Sequence, residues 1–119
     1  MLDEAMKALR VTSKVYETEI AHWLMAAAND LKMGGVDLGG DVTFTIGTAD
    51  TVVDNCTVED EFVKRALITY TAAHFGNPPN AAMLRDDYRE QKAQLMHNKN
   101  YTDYGLDTEI GDGDEDAEG

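Results

Sequence analysis

The stretch Thr57-Val-Glu-Asp-Glu-Phe-Val-Lys-Arg-Ala-Leu-Ile-Thr-Tyr-Thr-Ala-Ala-His-Phe-Gly76-Asn-Pro-Pro79 reads as one helix with both ends marked. Thr57 with Asp60 has the spacing of a capping box, with Asp in place of the usual Glu or Gln. Gly76 followed by Pro78 and Pro79 stops the helix, because proline cannot continue it and glycine accepts the left-handed turn. On a helical wheel Phe62, Val63, Ala66, Leu67, Tyr70, Ala73 and His74 form one broad apolar stripe, predicting a helix central to the fold. Ile68 and Phe75 fall outside it, beside Lys64 and Thr71, and are assigned to an interface.

Working outward, Asn80 can cap a further helix over about 81–97, with a narrow stripe of Ala81, Leu84, Tyr88 and Leu95 on a charged surface. Upstream, Tyr16, Ile20, Trp23, Leu24, Ala27 and Leu31 share one arc of a helix over about 15–33 that Gly34-Gly35 ends. Ala26, Ala27 and Ala28 keep that helix thin, so a neighbour can approach closely. Asp3 caps a short first helix over about 4–10, whose Ala5, Met6 and Leu9 need a surface to dock on. The predicted core is Ile20, Trp23, Leu24, Ala27, Leu31, Phe62, Ala66, Leu67, Tyr70, Leu84 and Tyr88.

Between the second and third helices, residues 36–56 behave differently. After Gly39-Gly40 the alternation Asp41-Val-Thr-Phe-Thr-Ile46 points Val42, Phe44 and Ile46 one way, as in a strand, and Thr51-Val52-Val53 can complete a hairpin arm. So small a helical core has little surface to hide these three side chains, so cover by another subunit is expected. The fold class is mainly α: a small four-helix domain over 1–102 with an extended arm or hairpin insertion, followed by an acidic tail at 103–119.

Charge separates these two parts. The chain carries 23 Asp plus Glu against 10 Lys plus Arg, a formal net charge of −13. Residues 1–102 hold 15 of the acids and all 10 bases, whereas 103–119 hold 8 acids and no base. Self-repulsion and glycine entropy predict that the tail is disordered in the free protein. The net charge repels nucleic acid and anionic membranes, and the bases occur singly or as the pair Lys64-Arg65, forming no evident patch. The start Met1-Leu-Asp-Glu-Ala-Met6 lacks the pattern of a signal peptide, and no apolar run approaches a membrane span, so a cytoplasmic site of synthesis is expected.

No residue set points to catalysis, a metal or a cofactor. His22, His74 and His97 lie on three different predicted helices without ligand spacing, and Cys56 is the single cysteine, expected to be a half-buried thiol. Glu59-Asp60-Glu61 suits a helix start, and Asp86-Asp87 is flanked by Arg85 and Arg89. Asp112, Asp114 and Asp116 have calcium-loop spacing, but Ala117 stands where that loop needs glycine. The remaining aromatic residues are packing or interface groups. Tyr101, Tyr104 and Leu106 lie outside any periodic pattern, so a partner or neighbouring subunit is their expected use.

The stretch Leu2-Asp-Glu-Ala-Met-Lys-Ala-Leu-Arg10, followed by Ile20-Ala-His-Trp-Leu-Met-Ala-Ala-Ala-Asn-Asp-Leu31, resembles the opening of tailed-phage head-tail connector proteins. Residues Asp60 to Gly76 are similar to that family's central helix, and a following helix from Met83 to Met96 agrees with it. The resemblance covers about residues 1–97 and rests on the order of the pieces. It implies a non-enzymatic subunit of a homo-oligomeric ring, twelve-fold in the virion, assembled in the host cytoplasm and placed at the virion neck. Its implied partners are the portal protein above and a downstream neck, head-completion or tail protein below, with DNA passing through the lumen without specific binding. An acidic lumen would keep DNA off its wall. The competing expectation is a non-viral cytosolic helical protein-protein adaptor, separated from a connector by the absence of closed rings.

Overall fold

The structure is a computed structural model that describes residues 1–102. Four helices carry it: α1 (Leu2–Leu9), α2 (Glu17–Met33), α3 (Glu61–His74) and α4 (Ala81–Met96). A hairpin of β1 (Phe44–Ile46) and β2 (Val52–Asp54) lies between α2 and α3. Short 3-10 turns at Lys14–Tyr16, Thr48–Asp50 and Lys99–Tyr101 join the pieces. The expected mainly α, four-helix architecture with a hairpin insertion is the observed one. The tail 103–119, with Tyr104 and Leu106, lies outside the described residues.

The core forms where the apolar arcs of α2 and α3 meet. Ile20, Leu24, Leu31, Val63, Leu67 and Thr71 are its largest fully buried side chains. Ala27, Ala28 and Ala66 are buried between them, and such small side chains allow close helix packing. Thr71 is tolerated there because its hydroxyl donates to the Leu67 carbonyl at 2.9 Å. Leu2, Ala5 and Met6 of α1 close one side, and Val36, Leu38, Val42 and Val58 seal it from the connecting loops.

Helix ends differ from expectation in instructive ways. The α3 cap is Asp60, whose Oδ1 accepts from the Phe62 N–H at 2.8 Å and the Val63 N–H at 3.1 Å. Thr57 is drawn away: its Oγ1 accepts from the Asp41 N–H at 2.8 Å, clamping the base of the hairpin. Asn80 holds the N-cap position of α4 without a side-chain cap bond. Asp3 caps nothing, since α1 starts at Leu2 and Asp3 sits within its first turn. The cap of α1 arrives from 52 residues away, where Asp54 Oδ2 accepts from the Leu2 N–H at 2.8 Å and the Met1 amino group at 2.9 Å.

β1 and β2 pair antiparallel, Phe44 with Asp54, Thr45 with Val53 and Ile46 with Val52. Gly40 lets the hairpin base close, because a Cβ there would lie 2.8 Å from the Thr57 backbone. At the tip Ala49 takes a left-handed conformation, φ 57°. Val42 is buried in this chain's own core, Phe44 packs against it half-buried, and Ile46 is 37% exposed. The expectation that another subunit covers all three is therefore corrected at Val42: loop residues such as Val58 and Leu38 belong to the same apolar cluster and hide it.

Candidate protein-interaction groove

Three pieces of chain meet at the N-terminal end of α3. Asp60 fixes the first turn of α3, and its Oδ2 also accepts from the Tyr101 hydroxyl at 2.8 Å. That bond holds the 3-10 turn after α4 against the start of α3. The turn is built by Asn98, whose Oδ1 accepts from the Asn100 N–H at 2.9 Å. Antiparallel pairing of Thr102 with Val36 ties the same segment to the loop after α2. Burial alone would raise the Asp60 pKa, but the Tyr101 hydroxyl and the Val63 and Phe62 N–H groups outweigh it and hold the carboxyl below its usual range.

These contacts enclose a groove of about 380 Å³ between α3, α4 and the final turn. Phe62 and Leu95 supply its apolar surface, Gln91, Gln94, Asn98 and Asn100 its amides, and Arg65 and Tyr101 its remaining lining. Phe62, expected in the core, is 61% exposed. Val63, in the same turn, is fully buried, so the packed arc of α3 is narrower than the predicted stripe and Phe62 falls outside it. The Arg65 guanidinium carbon stands 5.9 Å from the Phe62 ring centroid. Gln91 Oε1 is buried and receives no hydrogen bond from the described residues. An unsatisfied amide beside an apolar ring is equipped to receive a polypeptide, whose side chains and N–H groups match both features.

The other expected interface residues scatter. Ile68 is half-buried against the core, and Phe75 meets Tyr16 edge-to-face at 5.6 Å. The Tyr101 hydroxyl donates to Asp60 of its own chain, while the residue still lines the groove. Among the expected core residues, Ile20, Leu24, Ala27, Leu31, Ala66, Leu67 and Tyr88 are buried, while Tyr70 and Leu84 are intermediate. Trp23 is also only half-buried, stacked on His74 with centroids 4.9 Å apart and 6.4 Å from Tyr70.

Other polar contacts tie side chains to the backbone or link neighbouring helices. His74 Nδ1 lies 2.8 Å from the Tyr70 carbonyl, which can only accept, so Nδ1 carries the proton. Burial, then Asp54, pushes the Cys56 thiol up to about 12, which keeps it protonated. Asp30 accepts from the Tyr88 hydroxyl at 2.6 Å and from Lys92 Nζ at 3.0 Å. Among the described residues no group of three or more His, Cys, Asp or Glu is placed to hold a metal, and no helix is long and apolar enough to cross a membrane. Comparison with known proteins returns no matching family, no matching curated protein and no matching solved structure.

Proposed function

We propose that this chain is a helical protein-protein adaptor that receives a short peptide segment of its partner in the Phe62 groove. The observation that carries this is Phe62 itself, a large aromatic ring 61% exposed at a groove lined with side-chain amides. An aromatic anchor surrounded by polar groups is the usual composition of a binding hot spot. The occupant brings one apolar side chain to Phe62 and Leu95, and backbone N–H groups to the amides. The terminal torsion of Gln91 is broad, so its unpartnered Oε1 can turn to meet such a donor.

Selection of short peptides from a displayed random library, followed by NMR mapping, tests this. Selected peptides should perturb Phe62, Gln91 and Leu95, and should lose about tenfold or more in affinity for Phe62→Ser, as expected for a hot-spot residue. Binders that map elsewhere, or that hold Phe62→Ser equally well, would sink the proposal.

A narrower form of the same role is the ring-forming connector subunit of a phage neck, bound to a portal and to a downstream neck or tail protein. Its support is the ordered resemblance of residues 2–10, 20–31 and 60–76, together with the acidic net charge of −13 that suits a DNA channel. Electron micrographs decide between the two: closed rings favour the connector, whereas monomers or dimers at high concentration and in the presence of a portal leave the general adaptor.

A further inference from the structure

The domain's few cations are not evenly spread. Arg85, Arg89 and Lys92 recur at helical spacing on α4 and converge on a second groove, of about 230 Å³, walled on the α3 side by Tyr70 and His74 and on the α2 side by Asp30. Three of the 10 basic residues in the chain thus share one small site. Along the linear chain Asp86, Asp87 and Glu90 lie between them, so they form no basic run.

The existing partners leave much of that charge uncommitted. Lys92 is held by Asp30 at 3.0 Å. Arg89 touches Asp86 at 3.1 Å in an exposed pair, with the Arg89 side chain 77% exposed, and exposed pairs of this kind hold weakly. Arg85 is exposed at the same groove. Guanidinium groups favour carboxylates because two parallel N–H bonds can match the two oxygens.

The chain carries a ligand of that chemistry within reach. Residues 103–119 hold 8 acids and no base. They start from Thr102, which pairs with Val36. The Val36 N–H donates to the Leu31 carbonyl at 3.0 Å, and Leu31 follows Asp30, a wall of the groove. Ten residues of extended chain span about 33 Å, while Arg85 lies only about 16 Å along α4 from Met96. A tether this short also gives a local concentration that a free peptide cannot match. The tail's carboxylates match the guanidinium groups of the groove in charge and in bonding geometry.

We propose that the Arg85, Arg89 and Lys92 groove is a receptor for acidic peptide and that its occupant is the chain's own acidic segment, residues 107–118. Docked there, the segment covers this cluster of three bases. An acidic segment of a partner protein would have to displace it, so the tail acts as a built-in competitor. This inference uses a groove separate from that of Phe62 and stands or falls independently of it.

A spin label on the full-length chain tests it, attached at Glu118→Cys in a Cys56→Ser background, with paramagnetic broadening read at the backbone amides. At low salt, broadening is expected at 85–92. It should fall about tenfold in Arg85→Gln/Arg89→Gln, as expected from the loss of two pairs, and collapse near ~0.5 M salt. Lys14→Gln, on another part of the surface, should leave it intact. A mixture of isotope-labelled unmodified chains with unlabelled spin-labelled chains should show none. Absence of broadening at 85–92 in the single-chain sample, persistence in the double variant, or broadening of equal strength in the mixture would each overturn the proposal. The last outcome would identify a second copy as the occupant.

Discussion

Asp54 shows how much one side chain can carry when it bridges distant pieces. Burial works against its ionised form, but the Leu2 N–H, the Met1 amino group and the Cys56 N–H outweigh that and hold its pKa well below the usual carboxylate range. A folded-state pKa below the unfolded value of about 3.9 means that its contribution is present above that pH and is lost as pH falls toward the folded value. Asp54→Ala should therefore cost about 1–2 kcal/mol at neutral pH, the range of a lost helix cap. In denaturant titrations the difference from the parent should shrink steadily below about pH 4; a gap independent of pH would mean that the carboxylate charge is not what matters. Phe62 and Leu67 make the opposite comparison. Phe62→Ser should change stability by no more than about 0.5 kcal/mol, because the ring is mostly in water, whereas Leu67→Ala should cost about 2–5 kcal/mol through cavity formation. Urea unfolding of both variants checks it, and a large loss from Phe62→Ser would place that ring back in the core.

At the scale of elements, the start of α3 is secured by a carboxylate with three donors, two from its own backbone and one from Tyr101. Asp60→Ala should cost about 2 kcal/mol, at the upper end of a cap loss, and Tyr101→Phe should cost less, because it removes only one of the three donors to Asp60. The double variant should cost less than their sum, because the Tyr101 hydroxyl has nothing left to lose once Asp60 is gone. Strict additivity in a double-mutant cycle would show that the two are not coupled. The hairpin depends instead on close approach at its base. Gly40→Ala would place a Cβ 2.8 Å from the Thr57 backbone, which cannot yield as a flexible side chain can. It should lower the thermal midpoint and loosen the Asp41 to Thr57 clamp, visible as faster amide exchange at both residues; unchanged exchange there would show that the base can shift without loss. Helix existence was legible from periodicity in every case, and hairpin pairing from the alternation at 41–46. The caps of α1 and α3 differ from expectation because a local rule cannot see Asp54 reaching Leu2, or the Asp41 N–H that engages the Thr57 hydroxyl.

For the whole molecule, α2 and α3 hold the largest fully buried side chains, while α1 and the hairpin are linked to one another through Asp54, and α1 to α3 through Lys64, which meets Glu4 at 3.2 Å. Native-state hydrogen exchange should therefore show α2 and α3 opening only with global unfolding, and α1 and the hairpin opening together at lower free energy. Asp54→Ala should accelerate both of the latter and leave α2 unchanged; acceleration confined to one would separate them. Neither groove was visible beforehand. The Phe62 groove needs α3, α4 and the turn at 99–101 brought together, and the basic groove needs helical spacing on α4 to be set against α2 and α3.

By itself the sequence determined the four helices, the hairpin between the second and third, and their order, because apolar periodicity, glycine and proline act within a few residues of where they stand. It also determined the asymmetry of charge between 1–102 and 103–119, which composition alone settles. Only the tertiary structure decided that Phe62 stays exposed while Val42 is hidden, that Trp23 stacks half-buried on His74, and that Tyr101 serves Asp60 of its own chain. Burial and hydrogen bonding depend on which distant segment arrives at each position, and periodicity along one helix carries no record of that.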